Sequence, residues 1–155
     1  MKRLMMLALV LVLVFSAAAF ADEGGEERDF GIFKTYVPND WTATQEGPTV
    51  NFLKNDNTSH ISVTIAATEG ASAKELVDAF VAEFGKTFTD ITDPQVDEDG
   101  DYMFEMTNPN GVKSAVLFSA DEKEYCLFVM TGVDNGGAGL AQIIAGIQNS
   151  FTQNK

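Results

Sequence analysis

SHISVTIAATEGASAKELVDAFVAEF, residues 59–84, changes its period half-way. Up to Thr68 apolar and polar side chains alternate, with Ile61, Val63 and Ile65 on one side and His60, Ser62 and Thr64 on the other, the period-two signature of a half-buried strand. From Ser72 the period lengthens to that of a helix. Leu76, Val77, Phe80, Val81 and Phe84 fall on a single apolar stripe. Ser72 and Glu75 have the spacing of a capping box, in which the serine oxygen accepts from a free backbone N–H and the glutamate reaches back to the cap. Gly85 offers a stop, so the spacing predicts a helix over about 72–86.

Working outward, IFKTYV (32–37), WTATQ (41–45) and TVNFLK (49–54) read as strands. The turns between them are Pro38-Asn39-Asp40, Glu46-Gly47-Pro48 and Asn55-Asp56-Asn57-Thr58. This first third predicts an antiparallel meander. Downstream, Tyr102, Phe104 and Met106 share one face of DYMFEMT, and Asn108-Pro109-Asn110-Gly111 turns the chain into VKSAVLFSA. EYCLFVMTG is apolar on both faces, as expected of a central strand covered on both sides. Leu140, Ile143, Ile144, Ile147 and Phe151 then mark a second helix over about 139–151. Strands joined by hairpin turns, with two helices set apart, predict an α+β fold: an α/β/α sandwich of two main helices on a largely antiparallel sheet.

The first 21 residues, MKRLMMLALVLVLVFSAAAFA, read as a secretory signal: Lys2 and Arg3, an apolar run from Leu4 to Phe15, and the small residues Ala19 and Ala21 before Asp22. The run is about a dozen residues, short of the roughly 20 that span a bilayer. Cleavage before Asp22 is expected to leave a periplasmic or secreted chain with no membrane span. Residues 22–29, DEGGEERD, read as a flexible leader, and residues 30–155 as one domain. The single cysteine, Cys126, forbids an intramolecular disulfide, so the fold rests on its core.

The formal charge is −13, and loss of Lys2 and Arg3 with the leader makes it −15. Such a field disfavours nucleic acid and favours cations and basic partners. Catalytic chemistry is thinly supplied. His60 is the single histidine and sits among the polar positions of its strand, and Cys126 alternates with Phe128 and Met130 as a buried thiol does. Gly136-Gly137-Ala138-Gly139 opens a helix, but Asp134 precedes it and no phosphate-loop lysine follows. A carboxylate pair for glycoside hydrolysis has no local signature beyond the abundance of acids.

QVDEDGDYMFEM, residues 95–106, is the one stretch that invites a metal. Asp97, Asp99 and Asp101 alternate like the first ligands of a calcium loop, with Asp90 and Asp93 near enough in sequence to add oxygens. Counted from Asp97, however, the sixth position is Tyr102 in place of glycine and the twelfth is Asn108 in place of glutamate. Asp99-Gly100 is equally a hairpin dipeptide, and a solvated turn is the simpler expectation. Trp41, the single tryptophan, is expected to cap one end of the core, and is also a candidate contact for a ligand or partner.

The pattern of YVPNDW, a meander, the capped helix after ISVTIAATEGASAKELVDAF, then DYMFEM, a three-strand run and a closing helix resembles the PsbP-like superfamily, including DcrB-like bacterial envelope proteins. The resemblance spans about residues 30–152 and carries no catalytic motif. It implies an α/β/α sandwich used as a non-enzymatic accessory or protein-binding domain, without a lipid-attachment cysteine in this chain. The expected function is therefore an exported accessory domain binding a protein or envelope component, with a calcium-binding protein using the loop at 97–101 as the alternative.

Overall fold

The computed structural model describes residues 24–153, with side chains through Ser150. The expected secretory leader and the Phe151 side chain lie outside the described residues. The elements in chain order are β1 (Gly25–Asp29), β2 (Lys34–Pro38), β3 (Trp41–Glu46), β4 (Thr49–Lys54), β5 (His60–Ala67), α1 (Ala73–Phe84), β6 (Gln95–Val96), β7 (Tyr102–Thr107), β8 (Lys113–Ala120) and β9 (Glu124–Thr131). A single 3-10 turn (Val133–Asn135) then leads into α2 (Gly137–Gln153).

Seven strands form one antiparallel sheet in the order β3-β4-β5-β9-β8-β7-β6. β9 returns to lie between β5 and β8, which makes it the middle strand. Its side chains serve two cores: Cys126, Phe128 and Met130 face α2, and Leu127 and Val129 face α1. A strand that is apolar on both faces belongs where helices cover both. The fold is the expected α+β arrangement, with the helices on opposite faces of a largely antiparallel sheet.

The two helices grip the sheet differently. Leu140, Ile143, Ile144 and Ile147 of α2 are all buried, on a layer that includes Phe52, Ile61, Val63 and Phe128. In α1 Val77 alone is fully buried, and half-buried Phe80 and Phe84 rest on aromatic rings of the sheet. Phe80 lies 5.9 Å from Phe118 and 5.5 Å from Tyr125, and Phe84 lies 6.3 Å from Phe104, all tilted or edge-on contacts of the favoured kind. Ser72 caps α1 as the spacing requires: Glu75 N–H donates to its Oγ at 3.3 Å and Ser72 N–H donates to Glu75 Oε2 at 2.9 Å.

Two expectations are corrected. Residues 25–29 are not a loose leader but strand β1, paired antiparallel with β2 from Gly25–Pro38 to Asp29–Lys34. GEERD has no apolar alternation, and its strand conformation comes from supplying main-chain partners to β2. The second correction concerns β2, which is not part of the meander. It leaves the large sheet because it is held against α2: Thr35 Oγ1 donates to the Ile143 carbonyl at 2.7 Å, out of water. Gly146 allows that approach, since a Cβ there would stand 2.2 Å from Thr35 Oγ1. Further along the helix, Gly139 leaves room for Trp41 in the same way. The meander proper is β3-β4-β5.

Candidate functional site

Strand order brings together loops that are remote in sequence. The pairings Ala67–Glu124, Ala120–Tyr125 and Tyr102–Phe118 place the end of β5, the β8–β9 turn and the β6–β7 turn at one end of the sheet. Thr68 ties two of them, its N–H donating to the Lys123 carbonyl at 3.0 Å and its Oγ1 to the Glu122 carbonyl at 3.1 Å. Glu69, Asp97, Glu98, Asp99, Asp101, Asp121, Glu122 and Glu124 are thereby gathered at one end, with Lys123 among them. Glu69 is close enough to add to the burial that raises the Tyr125 phenol.

Within this end the residues singled out for metal have other work. Asp97 Oδ1 accepts from Asp99 N–H and Asp101 N–H, both at 2.9 Å, and Asp97 N–H bonds the Asp101 carbonyl at 3.0 Å. Gly100 takes the left-handed conformation the turn needs, φ 87°. The same device closes two other hairpins. Asp121 Oδ1 accepts from Lys123 and Glu124, and Asn108 Oδ1 from Asn110 and Val112. An uncharged asparagine fills in one turn the role that Asp97 fills in another, so the carboxylate is there as an acceptor for backbone N–H groups. Asp90 and Asp93 do not fold back over the turn, because their segment runs beside β7: Thr89 bridges Thr107 and Thr92 N–H donates to the Glu105 carbonyl. Among the described residues no three acidic, histidine or cysteine side chains converge as a metal site. Asp97, Asp99 and Asp101 thus lie in a hairpin turn, the simpler of the two expectations for this stretch.

Asp101 stands apart from its neighbours. It is 3% exposed, and its Oδ2 is buried without a hydrogen-bond partner. Burial raises its carboxyl above the usual range, a hydrogen bond from Ser119 on β8 opposes that rise, and the charges of Asp97 and Asp99 add to it.

The other candidates are placed as follows. Trp41 is 4% exposed, under α2 beside Gly139 and Pro38, so it closes one end of the core; its Nε1 is buried without a partner. Half-buried His60 lies on the α1 side of β5, and burial lowers its basicity. Cys126 is buried on the α2 side of β9, with its thiol pushed far up by burial. The one imidazole and the one thiol therefore sit on opposite faces of the sheet. Gly136 and Gly139 of the helix opening are filled against Leu140 and Trp41, and are spaced for packing.

A polar cleft of about 540 Å³ lies between the β1–β2 hairpin and the far half of α2, with Glu27, Asp29, Lys34, Tyr36, Asn149 and Ser150 on its walls. Lys34 Nζ pairs with Asp29 at 3.3 Å, and Lys34 N–H donates to Ser150 Oγ at 3.0 Å. This cleft has no signature in the sequence, because its walls are brought together only by the fold.

Fold and loops together define an α+β sandwich with one acidic end. No family model matches the sequence, and neither does any curated protein. Among solved structures the chain is similar to the solution structure of cyanobacterial PsbP (CyanoP) from Synechocystis sp. PCC 6803, at 10% identity over 86% of this chain and 94% of that one, with a TM-score of 0.47.

Proposed function

We propose that this is an exported accessory domain of the cell envelope that binds another protein, meeting a basic segment of that partner with the acidic end of its sheet, and that it catalyses no reaction. The observation that carries the reading is the convergence of the β5–α1 loop, the β6–β7 turn and the β8–β9 turn into one strongly acidic surface. Electrostatic complementarity of this kind speeds encounter and selects partners by charge. The expected secretory leader supports the location, and the resemblance of the sequence pattern to PsbP-like and DcrB-like proteins supports an accessory role. Separation of His60 from Cys126 by the sheet supports the absence of a thiol–imidazole catalyst.

The test compares three forms of the domain in capture from an envelope fraction: the native chain, Glu69→Gln/Glu98→Gln/Glu122→Gln, and the control Glu26→Gln/Asp78→Asn/Glu83→Gln. A partner retained by the native chain and the control, lost with the first variant and released by moderate salt, is the expected outcome. Equal retention by both variants would remove the acidic end from the proposal.

A further inference from the structure

Asparagine followed by glycine occurs twice, at Asn110–Gly111 and Asn135–Gly136. In such a pair the next backbone nitrogen meets little hindrance on its way to the side-chain carbonyl, because glycine has no Cβ and wide backbone freedom. The two sites are held very differently. We propose that Asn110 is a site of spontaneous covalent modification, deamidation through a cyclic imide, and that the fold selects it over Asn135.

Asn110 and Gly111 are both exposed at the tip of the β7–β8 hairpin. Nothing lies within 4 Å of the place a Gly111 Cβ would take, so the backbone there has room to swing. Two contacts within the turn oppose the reaction: the bond from Gly111 N–H to the Asn108 carbonyl at 2.9 Å, which must open first, and that from Asn110 N–H to Asn108 Oδ1 at 2.9 Å. Asn135–Gly136 is confined on several sides. Asn135 N–H bonds the Gly132 carbonyl and Gly136 N–H the Val133 carbonyl, both at 3.0 Å, within the 3-10 turn. Gly136 is buried, and Leu140 fills the space beside it, 2.6 Å from an added Cβ. The Asn135 carbonyl also accepts from Lys54 Nζ at 2.9 Å. Bringing the Gly136 nitrogen onto the Asn135 side chain would unwind the entry to α2.

The chemistry is complete with solvent water as the one co-reactant. The Gly111 nitrogen forms a bond to Asn110 Cγ and loses its proton. The bond from Cγ to the amide nitrogen breaks, and that nitrogen leaves as ammonia. Water then opens the five-membered imide at either carbonyl, leaving an aspartyl or an isoaspartyl link. Each event adds a carboxylate, and the isoaspartyl form also inserts a methylene into the main chain of a turn whose shape Asn108 sets through Asn110 and Val112.

The full chain, folded, is incubated at mildly alkaline pH and mapped by peptide mass, with isoaspartate confirmed by enzymatic methyl labelling; a parallel sample is kept unfolded in denaturant. The expected result is a gain of one mass unit at Asn110 at least about tenfold faster than at Asn135 in the folded chain, with the two rates converging when local structure is removed. Asn110→Gln should abolish the folded-state signal. Equal rates at the two sites in the folded chain, or modification of Asn110 in denaturant but not in the fold, would overturn the proposal.

Discussion

Asp101 is the residue whose surroundings work hardest against its charge. Its carboxyl is out of water, one oxygen has no donor, and Asp97 and Asp99 add negative charge near it, while a hydrogen bond from Ser119 favours ionisation. The folded-state pKa is therefore above that of the unfolded chain, so the folded form prefers the proton. The stability linked to this group is fully present below the unfolded carboxylate pKa of about 3.9 and is lost as pH rises through the folded value. A carboxyl-detected NMR titration should place Asp101 above its ordinary value, and Asp101→Asn should remove that share of the pH dependence; a titration at or below the ordinary value contradicts the account. His60 has the opposite linkage: its lowered basicity favours the neutral ring, so stability is present above about pH 6.5 and falls as the pH drops through its folded value. Trp41 was legible as a core cap because a large ring after a turn has few other places to go. With 4% exposure its fluorescence should be blue-shifted and poorly quenched by iodide until the chain unfolds. The buried, partnerless oxygen of Asp101 was not legible, because its burial is set by the fold and its partner Ser119 comes from β8.

At the scale of elements, the local signals that proved informative were those that name a mechanism. The Ser72–Glu75 spacing identified the cap of α1, and both of its bonds are made. Ser72→Ala should lower stability by about 1 kcal/mol in a denaturant melt, the usual worth of an N-cap. A loss indistinguishable from zero would mean that the aromatic layer alone holds this helix. Alternation identified β5 and β7, and apolarity on both faces identified β9, because each has one face or two against a core. β1 escaped because its strand conformation depends on pairing, and GEERD by itself has the composition of a solvated tail. The departure of β2 from the meander escaped because it turns on Gly146, a residue over a hundred positions away. Gly146→Ala would press a methyl onto Thr35 Oγ1 and into its bond with the Ile143 carbonyl. The expected cost is about 1–3 kcal/mol, the range for overpacking in a closed site. Gly31→Ala, where no atom lies near the added Cβ, serves as a control for backbone strain alone, since Gly31 has φ 79°.

For the whole molecule, the decisive feature is strand order, which periodicity does not encode. Three acidic turns become one surface because β9 folds back beside β5, and each turn taken singly reads as solvated loop. The same order separates the metal question from the charge question. A calcium loop needs six to eight oxygens turned inward on one point, whereas Asp97 and Asp121 each spend an oxygen on backbone N–H groups. Melts of residues 22–155 in calcium, in magnesium and in chelator, at matched ionic strength, should therefore superimpose. Bound calcium at about 100 times its dissociation constant would instead add roughly 2.7 kcal/mol, several degrees for a domain of this size. A calcium-selective shift of that size, lost in Asp99→Asn and Asp101→Asn, would make the turn a metal site. Ionic strength itself should matter, because a chain of formal charge −13 repels itself and salt screens the repulsion. If the acidic end is where that repulsion concentrates, Glu69→Gln/Glu98→Gln/Glu122→Gln should melt higher than the native chain at low salt and lose much of its salt dependence. The control Glu26→Gln/Asp78→Asn/Glu83→Gln changes the net charge equally but removes partners of Arg28, Lys74 and Lys86, so it should gain less or lose stability. Equal behaviour of the two variants would mean that net charge alone, and not its convergence at one end of the sheet, sets the response.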